Sequence, residues 1–179
     1  MIFRSTTILG VRLKTAVALG GDGQVTFGDM ALKQKAVKVR KFDSSKNEIL
    51  GGFAGAAADA LTLFGKFEEK LQEYNGQLQR SVVELAKEWR TDKYLRNLDA
   101  LLALMDRKQS YLVSGDGNVV EPDGPVIAVG SGAGYAQAAA SALLSCKVTS
   151  PKEIVRRSLK IAADICIYTN HQITVMELK

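Results

Sequence analysis

Segment order and hydrophobic periodicity in this chain point to an α+β fold, a four-layer α/β/β/α sandwich built on two mainly antiparallel sheets. Short apolar runs with a period of two alternate in blocks with longer stripes of period 3.6, in the order strands, two helices, strands, two helices, strand. Regular β-α-β alternation would instead demand a parallel sheet. The 179 residues suit one domain with a sizeable core. No linker, low-complexity tract or internal repeat interrupts them.

The first runs, Thr7 to Val11 and Ala16 to Leu19, flank Lys14-Thr15 and read as two strands joined by a turn. A strand this close to the terminus is held by a sheet rather than frayed. Runs at Val37 to Phe42 and Ile49 to Ala54 follow. Then Ala57, Ala60, Leu61, Phe64, Phe67, Leu71 and Tyr74 mark one face of a helix closed by Asn75-Gly76. Val82, Leu85, Ala86, Trp89 and Tyr94 mark a second helix, with Glu84, Lys87, Glu88 and Arg90 opposite.

Leu101 to Met105, Tyr111 to Ser114, Val119-Val120 and Val126 to Val129 return to strand, with Asp116-Gly117 as a hairpin turn. The alanines between Tyr135 and Leu144 predict a third helix. Ser150, Pro151 and Glu153 supply a cap, a first-turn proline and a capping-box acid for a fourth, expected to run to about Tyr168. Ile173 to Met176 closes the chain as a strand.

Composition excludes several classes. Hydrophobic residues make up 46% and charged residues 24%, which rules out intrinsic disorder and fibrous folds. The net charge of +5 is a modest excess of 24 basic over 19 acidic residues, and no nucleic-acid motif accompanies it, so a nucleic-acid partner is not expected. The basic stretch from Lys33 to Lys46 reads as a solvated face. The uncharged stretch from Gly124 to Cys146 is broken by glycine and serine, and a membrane span is not expected. Two unpaired cysteines and the lack of a secretory signal lead to the cytoplasm as the expected compartment.

Common catalytic patterns fail on detail. Gly130-Ser131-Gly132-Ala133-Gly134-Tyr135 lies between a strand and a helix, but a dinucleotide loop needs glycine at position 135, and no acid closes a later strand. Neither Gly21-Asp22-Gly23 nor Gly115-Asp116-Gly117 carries a Walker lysine, so ATP is not expected on this chain. With His171 the only histidine and no G-x-S-x-G elbow, histidine-activated nucleophiles are unsupported. A threonine at a mature N-terminus needs no histidine, because its own α-amine serves as the base. Such a residue requires a lysine ammonium to lower the amine's pKa, a carboxylate to hold that lysine, and a backbone N–H for the oxyanion.

Several segments resemble one family. Thr6-Thr7-Ile8 with Val11-Arg12, Gly20-Gly21-Asp22-Gly23-Gln24-Val25-Thr26-Phe27-Gly28, Lys38-Val39-Arg40-Lys41 and Gly52-Phe53-Ala54-Gly55 are similar to the HslV family of bacterial proteasome-like peptidases. So are Ala58 to Phe64, Glu84 to Asp92, Gly130-Ser131-Gly132 with Tyr135-Ala136, and Asp164 to Asn170. This resemblance implies an N-terminal-nucleophile hydrolase sandwich over residues 6–179, freed from a propeptide at 1–5 by cleavage of the Ser5-Thr6 bond. It further implies a homododecamer of two hexameric rings, gated by an HslU-type AAA+ ATPase hexamer that binds the ATP and delivers unfolded polypeptide.

By the same resemblance Thr6 is the nucleophile, Asp22 and Lys38 the charge pair beside it, Gly52 the oxyanion donor, and Ser131 a polar partner of the amine. A structural sodium ion is implied on the backbone carbonyls of Ala163, Cys166 and Thr169. Read without the family, Asp22 and Lys38 are a turn acid and an exposed base, Ser131 a helix cap, Gly52 and Gly55 turn glycines, and Ala163 to Thr169 a helix end. Two departures stand out: Ala163 replaces a common glycine, and Ala133-Gly134 replaces Gly-Pro before Tyr135. A non-catalytic ring member with the same fold is the alternative function.

Overall fold

The structure is a computed structural model that describes residues 6–14, 16–28, 30–44 and 46–178. The expected propeptide at 1–5 lies outside these residues. Strand β1 (Thr7–Leu13) turns back into β2 (Ala16–Gly21), as the two opening apolar runs require. A small hairpin follows, β3 (Val25–Phe27) and β4 (Met30–Lys33), which the sequence pattern did not reveal because β4 is exposed along its whole length. Then come β5 (Val39–Asp43) and β6 (Glu48–Gly55), the helices α1 (Ala57–Glu73) and α2 (Leu78–Thr91), and a short 3-10 turn at Leu95–Asn97.

Strands β7 (Ala100–Met105), β8 (Ser110–Ser114), β9 (Val119–Val120) and β10 (Val126–Gly130) lead to helices α3 (Ala133–Ser145) and α4 (Pro151–Ile165) and the last strand, β11 (Thr174–Leu178). One sheet runs β10-β1-β2-β11 and the other β5-β6-β7-β8-β9. Every pairing in both sheets is antiparallel.

Three apolar clusters fill the spaces between four layers. Phe42, Phe64, Phe67, Leu85 and Trp89 pack α1 and α2 onto the five-stranded sheet. Ile8, Leu19, Val39, Leu50, Met105 and Ile127 join the two sheets face to face. Leu9, Val11, Ala140, Val155 and Leu159 seat α3 and α4 on the four-stranded sheet. Successive residues of β1 point to opposite faces, so Ile8 enters the middle cluster and Leu9 the outer one. A strand buried on both faces explains why its sequence is a continuous apolar run.

Helix ends follow local chemistry. The Ser150 hydroxyl accepts the Glu153 N–H at 3.3 Å with Pro151 opening α4, as the capping pattern predicts. Helix α4 stops at Ile165, earlier than the apolar pattern predicts: Cys166 caps it, the chain turns with the Thr169 N–H on the Cys166 carbonyl, and Ile167 is left 77% exposed. Tyr94 likewise leaves the predicted second stripe: α2 ends at Thr91, and Asp92 takes the N–H groups of Tyr94 and Leu95 at 2.8 and 2.9 Å. Among the described residues no helix is long and apolar enough to cross a membrane.

Phe67 is fully buried and meets Phe42 edge-on at 5.1 Å between ring centres. Phe67→Ala should therefore lower unfolding stability by about 3–5 kcal/mol. Denaturant titration followed by the fluorescence of Trp89, the one tryptophan, checks this.

Candidate active site

The turn after β2 builds the centre of the site. Gly20 and Gly21 end the strand under close packing from Val155 and Ile8, and Asp22 then leaves the sheet with its side chain directed inward. Asp22 Oδ2 accepts the N–H of Gln24 at 2.8 Å, an Asx turn that fixes the carboxylate relative to its own backbone. Asn170 N–H reaches the same oxygen at 3.3 Å, while Oδ1 accepts the N–H of Thr7 at 2.8 Å. The remaining donor is Lys38, whose ammonium lies 3.1 Å from Oδ1 in a pair shielded from solvent on both sides.

Lys38 stands one residue before β5, which aims its stem under the Asp22 turn. Its Nζ also donates to the Gln24 carbonyl. Burial lowers the pKa of Lys38, and the attraction and hydrogen bond of Asp22 pull in the opposite direction. The result is a cation kept by its partner in a place that otherwise disfavours charge.

Thr6 sits at the head of β1, 2% exposed, and faces a pocket of about 410 Å³ that Lys38 also lines. Its carbonyl accepts the Ser131 N–H at 2.9 Å. Gly130, with φ of 98°, turns the chain there, and a side chain at that position would collide with the Thr6 carbonyl. The neighbouring Thr7 is a stitch between distant segments: its hydroxyl accepts the Gly132 N–H at 2.9 Å and shares a hydrogen with the Thr169 hydroxyl at 2.6 Å.

The predicted residues are thus brought together unequally. Thr6, Asp22 and Lys38 converge. Ser131 meets Thr6 through its main chain only, while its side chain is exposed beside Tyr135 and Cys166. The helix cap is Gly132 and makes no side-chain cap bond. Gly52 is misplaced for an oxyanion donor. N–H directions alternate along β6: Phe53 donates to Lys38 on the β5 side and Ala56 to Asp99 on the β7 side. Gly52 shares the β7 side with Ala56 and faces Ala103, with Ile8 packed over it.

Gly55 instead shares the β5 side, at a level where β5 has ended, and lines the Thr6 pocket. Its φ of 124° and the nearby Asp99 carbonyl exclude a side chain. Sequence reasoning held Gly55 only as a turn glycine, and it missed Thr7, the Thr169 hydroxyl and Asn170. The Asp-x-Gln spacing was the one local signal of an Asx turn. The others meet across 125 to 162 residues of sequence.

At the end of α4, Cys166 N–H closes the last helical bond to Ala162 at 2.8 Å, and the Cys166 carbonyl accepts Thr169 N–H at 3.0 Å. Ala163 and Cys166 therefore present carbonyls at a helix terminus, where such oxygens lack helical partners. Among the described residues no group of three or more His, Cys, Asp or Glu could hold a metal, so a cation there would depend on main-chain oxygen.

The model of the family described as "Proteasome subunit" matches residues 2–178. The chain belongs to the proteasome-subunit family. Eukaryotic HslV from Trypanosoma brucei is similar at 40% identity, with 97% of this chain and 99% of that one covered and a TM-score of 0.90. The protein BPH of Thiobacillus denitrificans shares the fold at 18% identity, 97% coverage of each chain and a TM-score of 0.77. Its complex with epoxomicin does so at 17% identity, covering 97% of this chain and 98% of that one, with a TM-score of 0.75. The expected proteasome-like N-terminal-nucleophile fold is thereby established, and this proteasome subunit is of the HslV kind, a proteasome-type protease subunit by family.

Two expectations follow from the buried pair. Asp22→Asn leaves Lys38 without its counterion and should cost about 3–5 kcal/mol, most of which Asp22→Asn combined with Lys38→Met restores; urea unfolding of the four proteins measures it. The contribution of Lys38 to the pH dependence has a definite sign. Folding lowers the Lys38 pKa below its ordinary 10.5, so at this site the unfolded chain binds more protons between the two values and the contribution rises with pH through that window, opposed by Lys41, Lys66 and Lys70, whose pKa values folding raises. Lys38→Met should remove that rising contribution, read as the difference from the unmodified protein in an alkaline unfolding series.

Proposed function

We propose that this chain is the proteolytic subunit of an ATP-dependent protease, a threonine-type endopeptidase acting on unfolded polypeptide. The convergence of Thr6 and Lys38 on one pocket, with Lys38 tied to buried Asp22, carries the reading. While residues precede it, the nitrogen of Thr6 is an amide and cannot act as a base, so residues 1–5 must be removed first. The freed amine then takes the proton of the Thr6 hydroxyl as its oxygen attacks the scissile carbonyl. The adjacent Lys38 cation disfavours a second positive charge and keeps that amine neutral near pH 7.

Gly55, rather than Gly52, offers the N–H that receives the oxyanion. The amine, now protonated, gives its proton to the departing amine, and water hydrolyses the acyl-enzyme with the threonine amine again as base. Ser131 holds the Thr6 carbonyl through its N–H, which orients the nucleophile without touching the reacting atoms.

Similarity to HslV supports a double hexameric ring of this chain in the cytoplasm, opened by an HslU-type AAA+ hexamer that carries the ATP. The carbonyls of Ala163, Cys166 and Thr169 suit a sodium ion, because a hard monovalent cation takes oxygen donors and Ala163 contributes only main chain. Such an ion would neutralise the negative end of α4 and brace the loop that holds Thr169.

Intact-mass measurement should find a chain beginning at Thr6, and Thr6→Ala in the processed form should lose peptide cleavage by at least about a thousandfold while the ring persists. Undiminished turnover by that variant would sink the assignment.

A further inference from the structure

The pocket beside Thr6 has walls of one character and a rim of another. Val25, Ala36, Val37, Phe53, Ala58 and Leu61 give it apolar sides. Its charged lining residues are Lys33 and Lys38, and no acidic side chain lines it among the described residues. The two lysines differ in what they are free to do. Lys38 is committed to Asp22 and to the Gln24 carbonyl, and the Asp22 carboxylate is itself occupied by donors from Thr7, Gln24, Lys38 and Asn170.

Lys33 is exposed and enters no ion pair among the described residues. Its backbone is nevertheless fixed. It pairs with Val25 across the β3–β4 hairpin, and the next residue is clamped by Asn170 Nδ2, which donates to the Gln34 carbonyl at 2.9 Å and to its Oε1 at 2.7 Å. Ala36 N–H donates to the Gly23 carbonyl at 2.9 Å, tying the same loop to the Asp22 turn. A flexible ammonium therefore swings from a fixed point over an apolar pocket that opens at the nucleophile.

We propose that Lys33 selects substrates by charge, so that the residue on the acyl side of the cleaved bond can be apolar or acidic while lysine and arginine are rejected. This rests on Thr6 being the nucleophile, which makes the pocket the seat of that residue. An acidic guest lays its methylenes on the apolar wall and its carboxylate at the Lys33 ammonium. A basic guest must bring a second cation to the same rim with no carboxylate available to it. At a half-solvated rim one such interaction corresponds to roughly tenfold in selectivity, and it weakens with salt.

The test measures kcat/KM for a matched series of fluorogenic tripeptides ending in Leu, Glu or Lys, on the processed enzyme with its ATPase and ATP present, each rate normalised to the Leu substrate. Glu should exceed Lys by about tenfold, Lys33→Gln should narrow that ratio and Lys33→Glu should invert it, and raising salt to about 0.5 M should narrow it in the unmodified enzyme. A Glu-to-Lys ratio unchanged in Lys33→Glu, with the Leu substrate still cleaved, overturns the proposal and leaves the nucleophile assignment intact. Cleavage that survives Thr6→Ala instead overturns that assignment. Should no substrate turn over, binding of the three product peptides to the Thr6→Ala protein by NMR titration reads the same order, and equal affinities for the Glu and Lys peptides overturn the proposal.

Discussion

The buried pair of Asp22 and Lys38 is the interaction on which the rest of the site depends. Removing both charges from water is costly, and the cost is offset by four donors to the Asp22 carboxylate and two acceptors for the Lys38 ammonium. Asp22 takes donors from the head of β1, from its own turn, from the segment after α4 and from Lys38 before β5. One carboxylate therefore fixes the relative positions of segments from both sheets. The same arrangement holds a cation beside Thr6 in a low-dielectric setting, where its effect on a neighbouring amine is strongest.

Thr7 performs the complementary task from the other direction. Its N–H satisfies Asp22, its carbonyl accepts the Asp22 N–H at 3.2 Å, and its hydroxyl joins Gly132 and Thr169. Thr6 is thus anchored through its carbonyl, which accepts the Ser131 N–H, and through Thr7 beside it, and it lines the pocket. A sheet strand clamped this close to Thr6 has little freedom left to lose, so the orientation of that residue comes built into the fold. Gly132 can approach only because it lacks a side chain, since a Cβ there would overlap the Thr7 hydroxyl.

The sandwich divides labour between its layers. The two sheets, joined face to face by Ile8, Leu19, Leu50 and Met105, form a rigid frame, and the head of β1 with Thr6, the Asp22 turn after β2 and Lys38 before β5 meet where their strands begin or end. The outer helices cover the sheets and bring their flanking loops to the site: the turn before α3 supplies Ser131 and Gly132, and the loop after α4 supplies Thr169 and Asn170. Much of the pocket wall comes from a different source, the β3–β4 hairpin, the segment before β5 and the start of α1. The buried charge pair is therefore placed where strands end, and much of the pocket wall on surface elements, which can vary without disturbing the frame.

By itself the sequence determined the layer order, the long helices and the α4 cap, because periodicity and capping are local properties; read without the resemblance to HslV, Asp22 and Lys38 were only a turn acid and an exposed base, and Thr6, Asp22 and Lys38 stood out as a group through that resemblance alone. It did not reveal the β3–β4 hairpin, whose exposed second strand leaves no apolar signature, or the early end of α4, where Ile167 carries the periodic pattern past the last hydrogen-bonded turn. Only the tertiary structure decided which glycine N–H faces the pocket, since Gly52 and Gly55 differ by an odd number of residues and so point to opposite edges of one strand. It also decided that Thr7, Thr169 and Gly132 meet, because hydrogen bonds between segments more than a hundred residues apart are set by how the sheets and helices pack, not by any spacing along the chain.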